Sequence, residues 1–113
     1  VVQAVATAGA VTMNAGTDVL SYSFDLGGST AVIGASTDGA ALIANTGAIT
    51  VTATGGAPGT VGYIIAYDNG NAYLYYFAAG AGDTNVSANE IALIGTFNNV
   101  AVGGLGAGNI TMI

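Results

Sequence analysis

The sequence predicts an all-β fold, an antiparallel β-sandwich or β-roll of about nine or ten short strands with little or no helix. Three observations lead there. Clusters of Gly, Asn, Asp and Ser that favour turns recur about every ten residues. Apolar and polar residues alternate with a period of two in Val19–Asp25 and Ile49–Thr54. Val61–Phe77 has the pattern of a β-hairpin, with two runs rich in Tyr, Ile and Leu around Asp68-Asn69-Gly70-Asn71. At 113 residues the chain is expected to form one β domain, 1–113. It divides into a small-residue half (1–54), a glycine/proline breaker (55–59) and an aromatic half (60–113).

In chain order, Val1–Ala6 and Ala10–Met13 are β-prone segments of small residues separated at Gly9, either paired with each other or forming one bulged strand. Gly16-Thr17-Asp18 is a turn. In Val19–Asp25, Leu20, Tyr22 and Phe24 point one way while Ser21, Ser23 and Asp25 point the other, as in a half-exposed strand. Gly27-Gly28 ends it, Ala31–Ala35 is a short strand, and Ser36-Thr37-Asp38-Gly39 is another turn. Ala40–Ala44 reads either as a strand or as one helical turn, capped by Thr37 or Asp38 and ending near Gly47. Ile49–Thr54 has one apolar face and one threonine face.

The hairpin is the strongest fold signal. Asn-Gly suits a type I′ turn because both central positions need φ > 0. That turn fixes the register: Tyr67 opposite Ala72, Ile65 opposite Leu74 and Tyr63 opposite Tyr76 on one face, with Ala66 opposite Tyr73 and Ile64 opposite Tyr75 on the other. Both faces are apolar, and five of the six tyrosines are here. Tyr63, Ile65, Tyr67, Tyr73, Leu74, Tyr75 and Tyr76 are therefore the expected hairpin core, covered on two sides. Beyond the loop Ala78–Asn85, Ser87-Ala88-Asn89-Glu90 matches a helix capping box, yet Ile91–Thr96 has the propensity and length of a strand. Phe97-Asn98-Asn99 turns, Val100–Leu105 is apolar but interrupted by glycine, and Asn109–Ile113 is a final strand.

Composition narrows the function. Only 5% of residues are charged, against ~25% in an average soluble domain. All six are acidic, and Lys, Arg, His and Cys are absent. Nucleic acid is excluded as an expected partner because phosphate recognition rests on Lys and Arg. The longest nearly apolar run, Ala72–Gly82, is too short for the ~20 residues of a spanning helix, so no transmembrane helix is expected; a membrane β-barrel remains an alternative on strand pattern. The usual catalytic bases and activated nucleophiles are missing, and no carboxylate pair forms a recognisable motif, so no enzyme is expected. The carboxylates must be solvated, capped by backbone N–H groups or neutralised by bound cations. Asp68, Asn69 and Asn71 are candidate oxygen ligands for Ca²⁺, against the simpler reading that they serve the turn. Asp83, Asn85 and Glu90 form a second oxygen cluster, for which a loop cap is again the simpler account. No other cofactor is expected.

The stretches Tyr63-Ile64-Ile65-Ala66-Tyr67-Asp68, Tyr73-Leu74-Tyr75-Tyr76-Phe77-Ala78-Ala79-Gly80, Ile91-Ala92-Leu93-Ile94-Gly95-Thr96 and Asn109-Ile110-Thr111-Met112-Ile113 follow one another in an order that resembles the C-terminal module of RTX-type bacterial proteins exported by type I secretion. Gly16-Thr17-Asp18-Val19-Leu20 is similar to the opening strand of such modules. The calcium-binding nonapeptides of that family are absent, and Phe77 and Ala79 stand where paired aspartates would follow the aromatic strand. The resemblance implies an extracellular or cell-surface setting, but calcium binding does not carry over with it.

A nearly uncharged surface of Val, Thr, Ala and Gly lacks the Lys and other charges that protect edge strands from pairing. The expected role is an extracellular, self-assembling structural subunit of a surface layer (S-layer), filament or adhesin, forming a homo-oligomer or polymer with cell-surface attachment. Its expected assembly strands carry Val1, Val2, Val5, Val11 and Met13 at one end and Ile110, Met112 and Ile113 at the other. The alternative is a monomeric C-terminal module for type I secretion and Ca²⁺-dependent binding.

Overall fold

The computed structural model describes residues 2–13, 19–26, 36–51, 61–79 and 85–105. The strands are β1 (Val2–Val5), β2 (Val11–Met13), β3 (Val19–Asp25), β4 (Ile49–Val51), β5 (Val61–Asp68), β6 (Asn71–Ala78), β7 (Asn85–Val86) and β8 (Ile91–Phe97). A helix, α1 (Ala40–Thr46), precedes β4, and a single 3-10 turn, Ala88–Glu90, precedes β8. One sheet has five strands in the order β1-β3-β5-β6-β8, and the other has three in the order β2-β4-β7.

The fold is mostly β, but the all-β, antiparallel expectation is corrected on two points. First, β1 pairs parallel with β3, β3 parallel with β5, and β2 parallel with β4. Parallel neighbours need a long crossover. Here the chain supplies it by changing sheets at each step, from β1 to β2, β3, β4 and β5 in turn. Val1–Ala6 and Ala10–Met13 are consequently neither paired with each other nor one bulged strand, because β1 and β2 belong to different sheets.

Second, Ala40–Thr46 is a helix. Ala40, Ala41, Leu42 and Ala44 are good helix formers, and Leu42 and Thr46, four residues apart, are buried together. Asp38 Oδ1 accepts from Ala40 N at 3.0 Å at the start, and the helix ends at Gly47, whose φ of 106° suits glycine. Gly47 also lies against the backbone of Gly9, where a Cβ would come within 2.9 Å of Gly9 C. This contact holds the β1–β2 connection against the helix end, and Gly9 N donates to Thr46 O at 2.7 Å.

The hairpin has the register its turn chemistry predicts. Asn69 and Gly70 have φ of 52° and 79°, and Tyr63↔Tyr76, Ile64↔Tyr75, Ile65↔Leu74, Ala66↔Tyr73 and Tyr67↔Ala72 are paired. β5 and β6 are the third and fourth strands of the five, so each has a neighbour on both sides. One face contributes Ile64, Ala66, Tyr73, Tyr75 and Phe77 to a core completed by Leu20 and Tyr22 of β3, Leu42 of α1, Ile91 of β8, and Met13, Ile49, Val51 and Val86 of the smaller sheet. The other face holds a second cluster of Val19, Ile65, Tyr67 and Ala72, covered by Val100 and Leu105. Tyr67 fixes that cover: its hydroxyl donates to Leu105 O at 2.9 Å and accepts from Leu105 N at 3.1 Å.

Ser87–Glu90 is a capping box on a 3-10 turn, and the strand follows directly. Ser87 N and Oγ both donate to Glu90 Oε1 at 2.9 Å. The predicted strands Ala31–Ala35 and Asn109–Ile113 and the breaker 55–59 lie outside the described residues.

Candidate assembly surface

The ends of the two sheets are the candidate surface. Among the described residues, strand order leaves β1 and β8 outermost in the larger sheet and β2 and β7 outermost in the smaller. β1 is exposed or half-exposed throughout, Val2 at 44%, and it contains neither a charge nor proline. Gln3 Nε2 donates to Thr12 O at 3.0 Å, so the β1 and β2 edges are tied together on one side of the molecule. Of the predicted assembly residues, Val2 and Val5 are on β1. Val11 and Met13 are on β2, where Met13 is buried in the core and Val11 is half-buried. Val1, Ile110, Met112 and Ile113 lie outside the described residues.

The opposite end is formed by β7 and β8. The first half of β8 has company on its outer side: Asp38 forms an antiparallel bridge with Ala92, and Leu93 N donates to Thr37 O at 2.9 Å. The second half carries Ile94, 54% exposed, and Phe97. Neither residue stood out in the sequence. Ile91–Thr96 reads as a strand there, but nothing in its alternation tells an edge strand from an inner one.

The hairpin residues divide by face. Tyr73 and Tyr75 are buried in the main core, and Ile65 and Tyr67 in the second cluster. Tyr63 and Leu74 are half-buried beside that second cluster. Tyr76 is 37% exposed and packs edge-on against Tyr63, with ring centroids 5.8 Å apart and planes at 64°. This leaves Tyr76 and Val61 as apolar surface beyond the cover of Val100 and Leu105.

The candidate Ca²⁺ residues fall into two distant groups. Asp68 is buried at the end of β5; Asn69 N donates to Asp25 Oδ2 at 2.9 Å, and Asn71 Oδ1 accepts from Asn99 N at 3.1 Å. Glu90 precedes Ile91, which pairs with Phe77 at the far end of β6, about 20 Å from Asn71 at ~3.4 Å per residue. Asp83 lies outside the described residues. Among the described residues, no three His, Cys, Asp or Glu side chains gather where they could hold a metal ion. In the described segments no helix is long and apolar enough to cross a membrane.

Burial also sets the state of the tyrosines facing the main core. Desolvation raises the pKa of Tyr22, with the Thr46 side chain opposing it. Desolvation raises that of Tyr75 strongly, and the nearby Tyr73 and Asp68 add to the effect. Burial thus favours the neutral phenol in both. Compared with protein families, curated proteins and solved structures, the chain matches none.

Proposed function

We propose that the protein is a non-enzymatic, extracellular structural subunit that assembles with copies of itself through β-strand edges, as in a surface layer, filament or adhesin. The observation that carries this reading is β1. Among the described residues it is outermost in the larger sheet, exposed or half-exposed, and its own residues include none of the charges or proline that ordinarily prevent edge pairing. The core shared by both sheets supports their finer description as the walls of a sandwich or roll. The extracellular setting rests on the resemblance of the hairpin and its following segments to RTX-type modules, together with the acidic, cysteine-free composition.

Size-exclusion chromatography with light scattering and electron microscopy, over a concentration series into the micromolar range, tests the proposal. Association that grows with concentration is expected. A monomer at every concentration would refute it.

A further inference from the structure

Asn69-Gly70 carries a chemical reactivity besides its role in the turn. Asn69 is the one asparagine of the chain that a glycine follows, and both residues are exposed. Asparagine is among the thermolabile residues. With no side chain on the following residue to obstruct it, the Gly70 main-chain nitrogen can attack the Asn69 carboxamide. Gly70 N gives up its proton to solvent and bonds to Asn69 Cγ, the Cγ–Nδ2 bond breaks, and the amide nitrogen takes a proton from solvent and leaves as ammonia. A five-membered imide remains. Water opens it at Cγ to give an aspartate, or at the main-chain carbonyl carbon to give an isoaspartate, in which the backbone runs through the former side chain. The net change is uptake of water and release of ammonia, with no oxidant or reductant.

The folded turn opposes this reaction. Ring closure needs Gly70 N and Asn69 Cβ on the same side of the Cα–C bond of Asn69. With φ of 52° and 79°, Asn69 and Gly70 are the central residues of a type I′ turn, in which ψ of the first is about +30°. That left-handed setting puts Gly70 N and Asn69 Cβ nearly opposite each other, so the turn must open before the ring can form. Opening is resisted on both flanks: Asp68 pairs with Asn71, Asn69 N donates to Asp25 Oδ2 at 2.9 Å, and Asn99 N donates to Asn71 Oδ1 at 3.1 Å. We propose that Asn69 is a site of spontaneous deamidation that the folded hairpin holds closed and that opening of the turn releases. The isoaspartate product is also one-way for the fold. It adds a main-chain carbon to a two-residue loop whose length fixes every pair between β5 and β6. Opening of the hairpin is thus recorded in a covalent change that keeps it from closing again.

The full chain is incubated in mildly alkaline buffer, folded in one arm and in urea above its unfolding midpoint in the other. Chymotrypsin, which cuts after tyrosine, then releases Asp68–Tyr73 from between Tyr67 and Tyr73. Tandem mass spectrometry reads the replacement of the amide by a hydroxyl at position 69, and isoaspartyl methyltransferase labelling reads the isoaspartate. In urea, Asn69 is expected to convert ahead of every other asparagine; no conversion there, or conversion spread evenly over the asparagines, would overturn the site. In the folded arm, conversion is expected to be at least about tenfold slower, since it must await local opening. Equal rates in the two arms would overturn the gate. After dilution from urea, the native circular dichroism signal should be lost in proportion to the isoaspartate formed. Asn69→Gly keeps a residue suited to the turn and lacks the carboxamide, so it should recover its signal in full after the same incubation. Full recovery by chains that carry isoaspartate, or an equal loss in Asn69→Gly, would overturn the one-way step.

Discussion

Replacing Tyr67 by Phe removes one oxygen atom and leaves the ring in place, so it isolates what holds the cover over the second cluster. The hydroxyl makes two hydrogen bonds to one residue, to Leu105 O at 2.9 Å and from Leu105 N at 3.1 Å. Each contributes about 1 kcal/mol net, and leaving a buried partner unsatisfied would cost more. Leu105 is half-buried, so water recovers part of that loss for its backbone groups. The expected destabilisation is therefore about 1–2 kcal/mol, or a fall in Tm of roughly 4 °C or more for a domain of this size. Urea unfolding should show a lower midpoint with an unchanged slope, because the surface exposed on unfolding is the same. Native-state hydrogen exchange gives the local reading: the Leu105 amide should exchange about tenfold faster, the equivalent of ~1.4 kcal/mol. An unchanged midpoint together with unchanged exchange at Leu105 would refute the role assigned to the hydroxyl.

Three further outcomes follow from the packing. Phe77→Ala empties a fully buried ring site in the main core and should cost about 3–5 kcal/mol, measured by urea unfolding; a loss below about 1 kcal/mol would mean that the core collapses around the gap or that the ring is not buried. Gly47→Ala should destabilise by more than the ~1 kcal/mol of left-handed backbone strain alone, since its φ is 106° and the new Cβ would meet Gly9 backbone at 2.9 Å; a neutral effect on Tm would contradict that close approach. Stability should also fall at alkaline pH. Tyr22 and Tyr75 keep their protons in the folded chain above the ordinary value of 10.0, so the folded state binds more protons there than the unfolded. Their contribution is complete below that pH and is lost as pH rises through the raised folded values, at up to ~1.4 kcal/mol per pH unit for each. Circular dichroism and tyrosinate absorbance followed together should show the two signals changing in one transition; tyrosinate appearing fully near its ordinary pKa in the folded protein would disprove the burial argument.

The sequence by itself determined the local elements wherever a local rule sufficed. Asn69-Gly70 dictated the turn, and through it every pair between β5 and β6, because a two-residue loop leaves no freedom of register. Alternation identified β3 and β4, and the Ser87–Glu90 box was legible from spacing. The absence of side-chain cations is also a property of the sequence alone. Tertiary structure decided the rest. Ala40–Ala44 was ambiguous because five residues of mixed pattern satisfy either period, and the burial of Leu42 and Thr46 on one side settled it as helix. The parallel pairing of Val2 with Val19 and of Val19 with Tyr63 leaves no local trace, because a crossover through another sheet imposes no turn chemistry on the partners. For the same reason nothing in Ile91–Phe97 marked it as outermost in its sheet. A strand becomes an edge through what fails to lie beside it, and that is a property of the assembled sheet, not of the strand's own residues.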